Sequence, residues 1–122
     1  MEHIFKQPKV LIARRIEIDK QVTTDMSDGE VPEEIMAFAE QVMGNGQARV
    51  AVNADFGMKD FGNGTSASVT ISLACNQDDE TIGKVFNTLK GWTQQMARAH
   101  FYEMDAQFKT MIAAKQQSGY GS

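Results

Sequence analysis

The chain has a single cysteine, Cys75, in 122 residues, so it can form neither an internal disulfide nor a cysteine-built metal site. No apolar run approaches the roughly 18–20 residues that cross a bilayer. The opening Met1-Glu2-His3-Ile4-Phe5-Lys6 lacks the apolar core of a secretory signal, and we expect a cytoplasmic protein. Cations are not in excess either. Twelve Lys and Arg stand against 16 Asp and Glu, for a net charge of −4, which argues against affinity built mainly on neutralising DNA phosphates. Neither of the two prolines lies beyond residue 32, so the second half of the chain is open to long uninterrupted elements. What is present suits a folded protein: 42% hydrophobic and 23% charged residues, close to ordinary globular usage. The length fits one domain over 1–122.

The periodicity predicts an α+β fold. Met1–Gln7 reads as a short strand or an arm. A strand is expected over about 9–19, where Val10, Ile12, Ile16 and Ile18 share one parity with Arg14. Asp25–Gly29 reads as a turn cluster. A helix is expected over about 32–43, with Pro32 and two glutamates at its start, an Ile35, Phe38, Ala39, Val42 stripe, and Gly44 as its stop. Strict alternation on either side of Lys59–Gly64 predicts an antiparallel hairpin over about 47–75, with Asn63-Gly64 supplying the turn. The expected sheet is therefore the N-terminal strand plus this hairpin. From Asp78 an acidic start leads into a long helix to about residue 115, followed by a flexible tail over 116–122.

The apolar stripe of that helix runs from Ile82 to Ile112. Over residues 79–115 it is on the order of 55 Å long, whereas a compact domain of this size has a radius of gyration near 14 Å. The expectation is an obligate homo-oligomer that shares the second half of the helix. Packing within one chain around a bend at Gly91 is the alternative.

Few motifs carry chemistry. The triplet Asp-Phe-Gly occurs twice, at Asp55-Phe56-Gly57 and Asp60-Phe61-Gly62. The glycine-rich loop, strand lysine and catalytic loop that give it meaning in kinases are missing, and turn chemistry accounts for it. The functional alternative is a pocket at the hairpin tip flanked by Phe56 and Phe61. Asn63-Gly64-Thr65 fits a glycosylation sequon and is discounted without a secretory signal. His100 and Glu103 stand at i and i+3, but a di-iron bundle needs further inward carboxylates, so a packed or solvated histidine is expected. Cys75 reads as a buried structural thiol. Arg14 breaks the apolar parity of its strand and should meet a carboxylate, such as Glu40, or an anionic ligand. No nucleophile, base or metal set has any specificity. We expect neither an enzyme nor a cofactor.

The segment Phe61-Gly62-Asn63-Gly64-Thr65-Ser66-Ala67-Ser68-Val69-Thr70-Ile71-Ser72-Leu73, then Cys75, the acidic helix start and Gly91-Trp92, resembles small phage and prophage accessory proteins. It looks most like the Thoeris anti-defence sponges. That resemblance implies small α+β protomers that associate through long helices and hold a cyclic ADP-ribose signal between subunits without cleaving it. A nucleotide-like ligand needs an aromatic face, an amide or hydroxyl for its edges, and one or two guanidinium groups. Arg14, Phe56, Phe61, Asn63, Arg98, Phe101 and Tyr102 could supply these where the hairpin of one subunit meets the helix of another. Two rivals stand beside this reading. One is a protein-binding inhibitor or adaptor using the acidic surface and a methionine-rich helix. The other is an accessory factor of phage DNA metabolism, which needs a basic groove with stacking aromatics and is disfavoured by the net charge.

Overall fold

A computed structural model of the protein describes residues 7–60 and 62–120. The expected N-terminal strand or arm lies outside these residues except for Gln7, as does Phe61. The elements are β1 (Lys9–Ile18), β2 (Gln21–Gly29), α1 (Glu33–Val42), β3 (Ala48–Asp60), β4 (Asn63–Cys75) and α2 (Asp79–Tyr120). The four strands form one antiparallel sheet in the order β2-β1-β4-β3, and the α+β class follows.

Register explains the core. Val10 and Ile12 of β1 stand opposite Ile71 and Val69 of β4, while Val50, Val52, Ala54 and Phe56 of β3 stand opposite Leu73, Ile71, Val69 and Ala67. With a side-chain period of two, this puts every apolar parity on one face. Both helices lie on that face. Ile35, Ala39 and Val42 from α1 and Val85, Leu89 and Ala97 from α2 join one buried cluster with the strands. The opposite face, with Ser66, Ser68, Thr70 and Ser72 along β4, has no covering layer among the described residues.

Three local expectations change. First, Asp25–Gly29 is the end of a strand and not a turn. β1 and β2 are joined by Asp19 and Lys20, both at positive φ (52° and 68°), the arrangement of a tight two-residue hairpin. Neither residue is a glycine or asparagine, which hid the turn. β2 lies at the sheet edge and is exposed along nearly its whole length, so it carries no apolar alternation.

Second, Asn63-Gly64 opens β4 and does not form the β3–β4 turn, because Asp60 pairs with Asn63 and Lys59 with Gly64. Gly62 has the positive φ, 81°. Gly64 is required for another reason: a Cβ there would lie 2.5 Å from the Met58 carbonyl oxygen. Asn63 Oδ1 instead accepts the Asp19 N–H at 3.1 Å, and the Lys20 N–H donates to the Gly62 carbonyl at 2.9 Å, lacing the two hairpin tips together.

Third, α2 spans 42 residues and runs through 116–120, where a flexible tail is expected. Its own sheet covers it far along its length. Val85, Leu89, Thr93 and Ala97 are fully buried, and Met104 is 7% exposed. Phe108 and Ile112 stand beside Met58 and Gly64, and Met111 beside Ile16 and Ile18. A radius of gyration near 14 Å describes a near-sphere. Strands of 13 residues give a sheet about 43 Å long at roughly 3.3 Å per residue, long enough to lie under most of the helix. Covering the second half of the helix therefore does not require a second copy.

The ends of the helices are specified locally. Gly44 follows α1 at φ 49°, and a Cβ there would meet the Asn76 side chain. Asn76 in turn ties the end of β4 to the end of α1, its N–H donating to the Val42 carbonyl and its Oδ1 accepting from the Asn45 N–H. Asp78 caps α2: its Oδ1 accepts the Thr81 N–H at 2.8 Å. The hydrogen bonds from Thr81, with that from Asn76, hold the Asp78 carboxyl below its ordinary range.

Asp78→Ala should lower Tm at neutral pH. Because the folded-state titration is depressed, the cap stabilises above the ordinary carboxylate range and fades as pH falls through the lowered one. The Tm gap should therefore close in strong acid, and a gap independent of pH in thermal melts contradicts this. Thr65 is 4% exposed and its Oγ1 has no partner among the described residues. Thr65→Val should raise stability by about 1 kcal/mol, and a lowered denaturation midpoint contradicts it.

Candidate functional site

The diagonal course of α2 over β4 and β3 leaves β2 bare and opens a trough beside it. One recess of about 310 Å³ is lined by Arg14, Ile16, Thr23, Asp25, Glu103, Met104 and Gln107. A second of about 410 Å³ shares Ile16 and Thr23 and continues past Ile18, Asp19, Gln21 and Met111. Ile16, Ile18, Met104 and Met111 give the trough apolar surface, and Arg14, Asp25 and Glu103 stand at one end.

Arg14 stands in the apolar parity, under the flank of α2, with its side chain 32% exposed. Its Nη1 lies 3.7 Å from Asp25 Oδ2, and its Nη2 lies 3.3 Å from His100 Nδ1. The expected carboxylate partner therefore exists, but it is Asp25, which stands opposite Arg14 across the β1–β2 ladder. Glu40 is an exposed residue of α1. Arginine has donors only, so the Nδ1 contact requires the neutral ring with a lone pair on that nitrogen. Glu103 Oε2 lies 3.7 Å from the same Nδ1. Of the packed or solvated histidine expected in place of a metal ligand, the structure shows the packed form, with the His100 side chain 21% exposed beside Arg14. Among the described residues, no group of three or more His, Cys, Asp or Glu could hold a metal.

The other sequence candidates lie elsewhere. Arg98 extends over the Phe56 ring at 5.5 Å from its centroid, on the β3 flank of α2, whereas His100 faces β1. Phe101 and Tyr102 are 6.0 Å apart at 45°, with Phe101 half-buried and Tyr102 63% exposed. Asn63 is engaged at the hairpin tip. The structure brings Phe56 and Arg98 together and leaves Arg14 on the opposite side of the helix, so one protomer does not gather the seven candidates. Phe61 lies outside the described residues. Cys75 is buried, and burial together with the Asp78 charge pushes its thiol up, as expected of a structural cysteine.

The sequence reading missed Asp25, Thr23 and Gln107. One signal for Asp25 was available: Arg14 and Asp25 are equidistant from the Asp19–Lys20 turn. It also missed Glu17, 6% exposed on the open face. Glu17 accepts from Arg15 Nη2 at 3.0 Å and lies 3.7 Å from Lys59 Nζ. Side-chain-free Gly64 stands between Glu17 and Lys59 in the ladder, so the lysine can reach across.

Compared with known proteins, the chain matches no protein family, no curated protein and no solved structure. Among the described residues, no helix is long and apolar enough to cross a membrane.

The Phe56–Arg98 stack can be measured. A double-mutant cycle with Phe56→Leu and Arg98→Met should read a coupling of about 0.5 kcal/mol in chemical denaturation. A coupling of zero would show the stack to be energetically idle.

Proposed function

We propose that the protein is a phage-type anti-defence factor that binds and sequesters a nucleotide immune signal in the cytoplasm, without cleaving it. The observation that carries this reading is Arg14 at the head of an open trough. Its contacts among the described residues are a 3.3 Å bond to a ring nitrogen and a 3.7 Å ion pair, loose for a guanidinium with five donors in a rigid fork. A phosphate offers that fork a bidentate partner. Asp25 and Glu103 at the rim can accept from ribose hydroxyls, Thr23 and Gln107 can meet polar edges, and Ile16 with Met104 provides an apolar floor. Both recesses fall within the roughly 300–1,000 Å³ of small-molecule sites. A protein partner is the second reading. It is favoured by the bare sheet face, where Leu11, Val22 and Met26 are 38%, 46% and 66% exposed.

The test is calorimetry with cyclic ADP-ribose isomers and cyclic oligonucleotides. The wild-type protein should bind at least one of them. Arg14→Ala should weaken binding by about tenfold or more, the scale of a lost charge-assisted hydrogen bond. Arg98→Ala, on the other flank of α2, should change it little. Absence of heat from every ligand, or equal loss in both variants, would overturn the trough as the site.

A further inference from the structure

The geometry points to a second copy of this chain as the partner of β3, pairing antiparallel about a two-fold axis at Val52. β3 is a sheet edge 13 residues long, with β4 on one side and no strand on the other among the described residues. Its interior contains no proline, one of the devices that blunt an edge, and its lysine, Lys59, stands at the hairpin end. An antiparallel pair of identical edges requires a dyad perpendicular to the sheet, and side chains opposite each other must then share a face. Only registers in which one residue faces its own copy meet that condition.

Centring the pair on Val52 places Arg49 opposite the partner copy's Asp55 and Asp55 opposite its Arg49. Two ion pairs therefore form on the open face, within cross-strand reach. Centring on Ala54 would set Arg49 against Lys59. Centring on Asn53 or Ala51 leaves Arg49 facing a neutral residue. On the covered face the Val52 register also matches sizes: Phe56 opposes Ala48, Ala54 opposes Val50, and Val52 meets itself. Arg49 Nη2 donates to Ser72 Oγ at 2.9 Å, which holds the guanidinium over the open face, and its fork can serve more than one acceptor. The other edge, β2 over Gln21–Gly29, carries Asp25 and Asp28 and no cation, so two copies of that strand set no opposite charges against each other within its length.

The helix layer provides an independent observation. The β3 flank of α2, marked by Arg98 over Phe56, has a shallow recess of about 450 Å³ lined by Gly91, Gln95, Arg98, Ala99 and Tyr102 among others. Among the described residues, nothing outside the adjoining turns of α2 lies within 4 Å of where a Cβ on Gly91 would stand. α2 rests over β3 and β4. Strands spaced about 4.8 Å apart put two dyad-related copies of it on the order of 10 Å apart, at the upper end of helix-pair distances. The dimer therefore joins two sheets into one of eight strands and sets α2 against its copy. It is independent of the trough beside β2.

Sedimentation equilibrium of the full chain from 1 to 100 µM tests it, with circular dichroism confirming the fold. Wild type should approach twice the 13.5 kDa chain mass. Arg49→Glu alone or Asp55→Arg alone should raise the dimer dissociation constant by about tenfold, since each turns two attractive pairs repulsive. The combined R49E/D55R chain should recover the wild-type value, and this rescue reports the pairing even where a single variant folds poorly. A wild-type monomer at 100 µM, a dimer indifferent to the single changes, or a combined variant that fails to recover would each overturn the proposal.

Discussion

One apolar sheet face must be kept from water, and the shape of the molecule follows from how that is done. β4 lies inside the sheet, and its Ala67, Val69, Ile71, Leu73 and Cys75 are all buried. A row of that kind contributes stability only when something lies on top of it. The chain supplies two helices for the purpose, a short one from the segment after β2 and a very long one from the segment after β4. Because β4 ends beside β3, α2 starts at that end and crosses β4 and β3. It runs out over the hairpin tips, where the Asp19–Asn63 and Lys20–Gly62 hydrogen bonds hold the two loops side by side.

Coverage on the β2 side is incomplete, and that incompleteness creates the features to which function can attach. A helix laid diagonally over a wider sheet leaves a wedge of the covered face open, and here the wedge lies over β1 and β2. The residue that breaks the apolar parity, Arg14, falls at the head of it. A guanidinium at this position would be costly under a closed layer. In the trough it keeps partial hydration and meets Asp25 and His100. The same layout exposes two sheet edges of opposite character, an acidic one at β2 and one of mixed charge at β3.

Much of this could be read from the residues in order. Val50 to Phe56 and Ala67 to Cys75 alternate without a break, so both strands and their common face were evident. The start of α2 was marked by Asp78, Asp79 and Glu80, and the end of α1 by Gly44. Arg14 stood out because it violated a pattern. β2 did not stand out, since an edge strand wet on both sides needs no alternation, and Asp19-Lys20 adopts positive φ with residues that do not advertise it. The position of the β3–β4 turn was off by two residues because Asn63-Gly64 has turn-like composition. There, the requirement for glycine comes from the approach of the Met58 carbonyl, a contact between strands that no local pattern records.

Order along the chain thus determined which residues want burial, with what period, and where regular elements begin. Those are properties of neighbours a few positions apart. What lay beyond it was how far one element reaches over another. The helix looked too long for its own domain because chain length says nothing of sheet shape, and 13-residue strands make a slab rather than a ball. Tertiary packing alone decided that Arg14 faces His100 across 86 residues of sequence. It likewise placed Arg98 on the far flank over Phe56. Side chains two positions apart on one helix are turned by about 200°, and only the sheet beneath gives each side something different to meet.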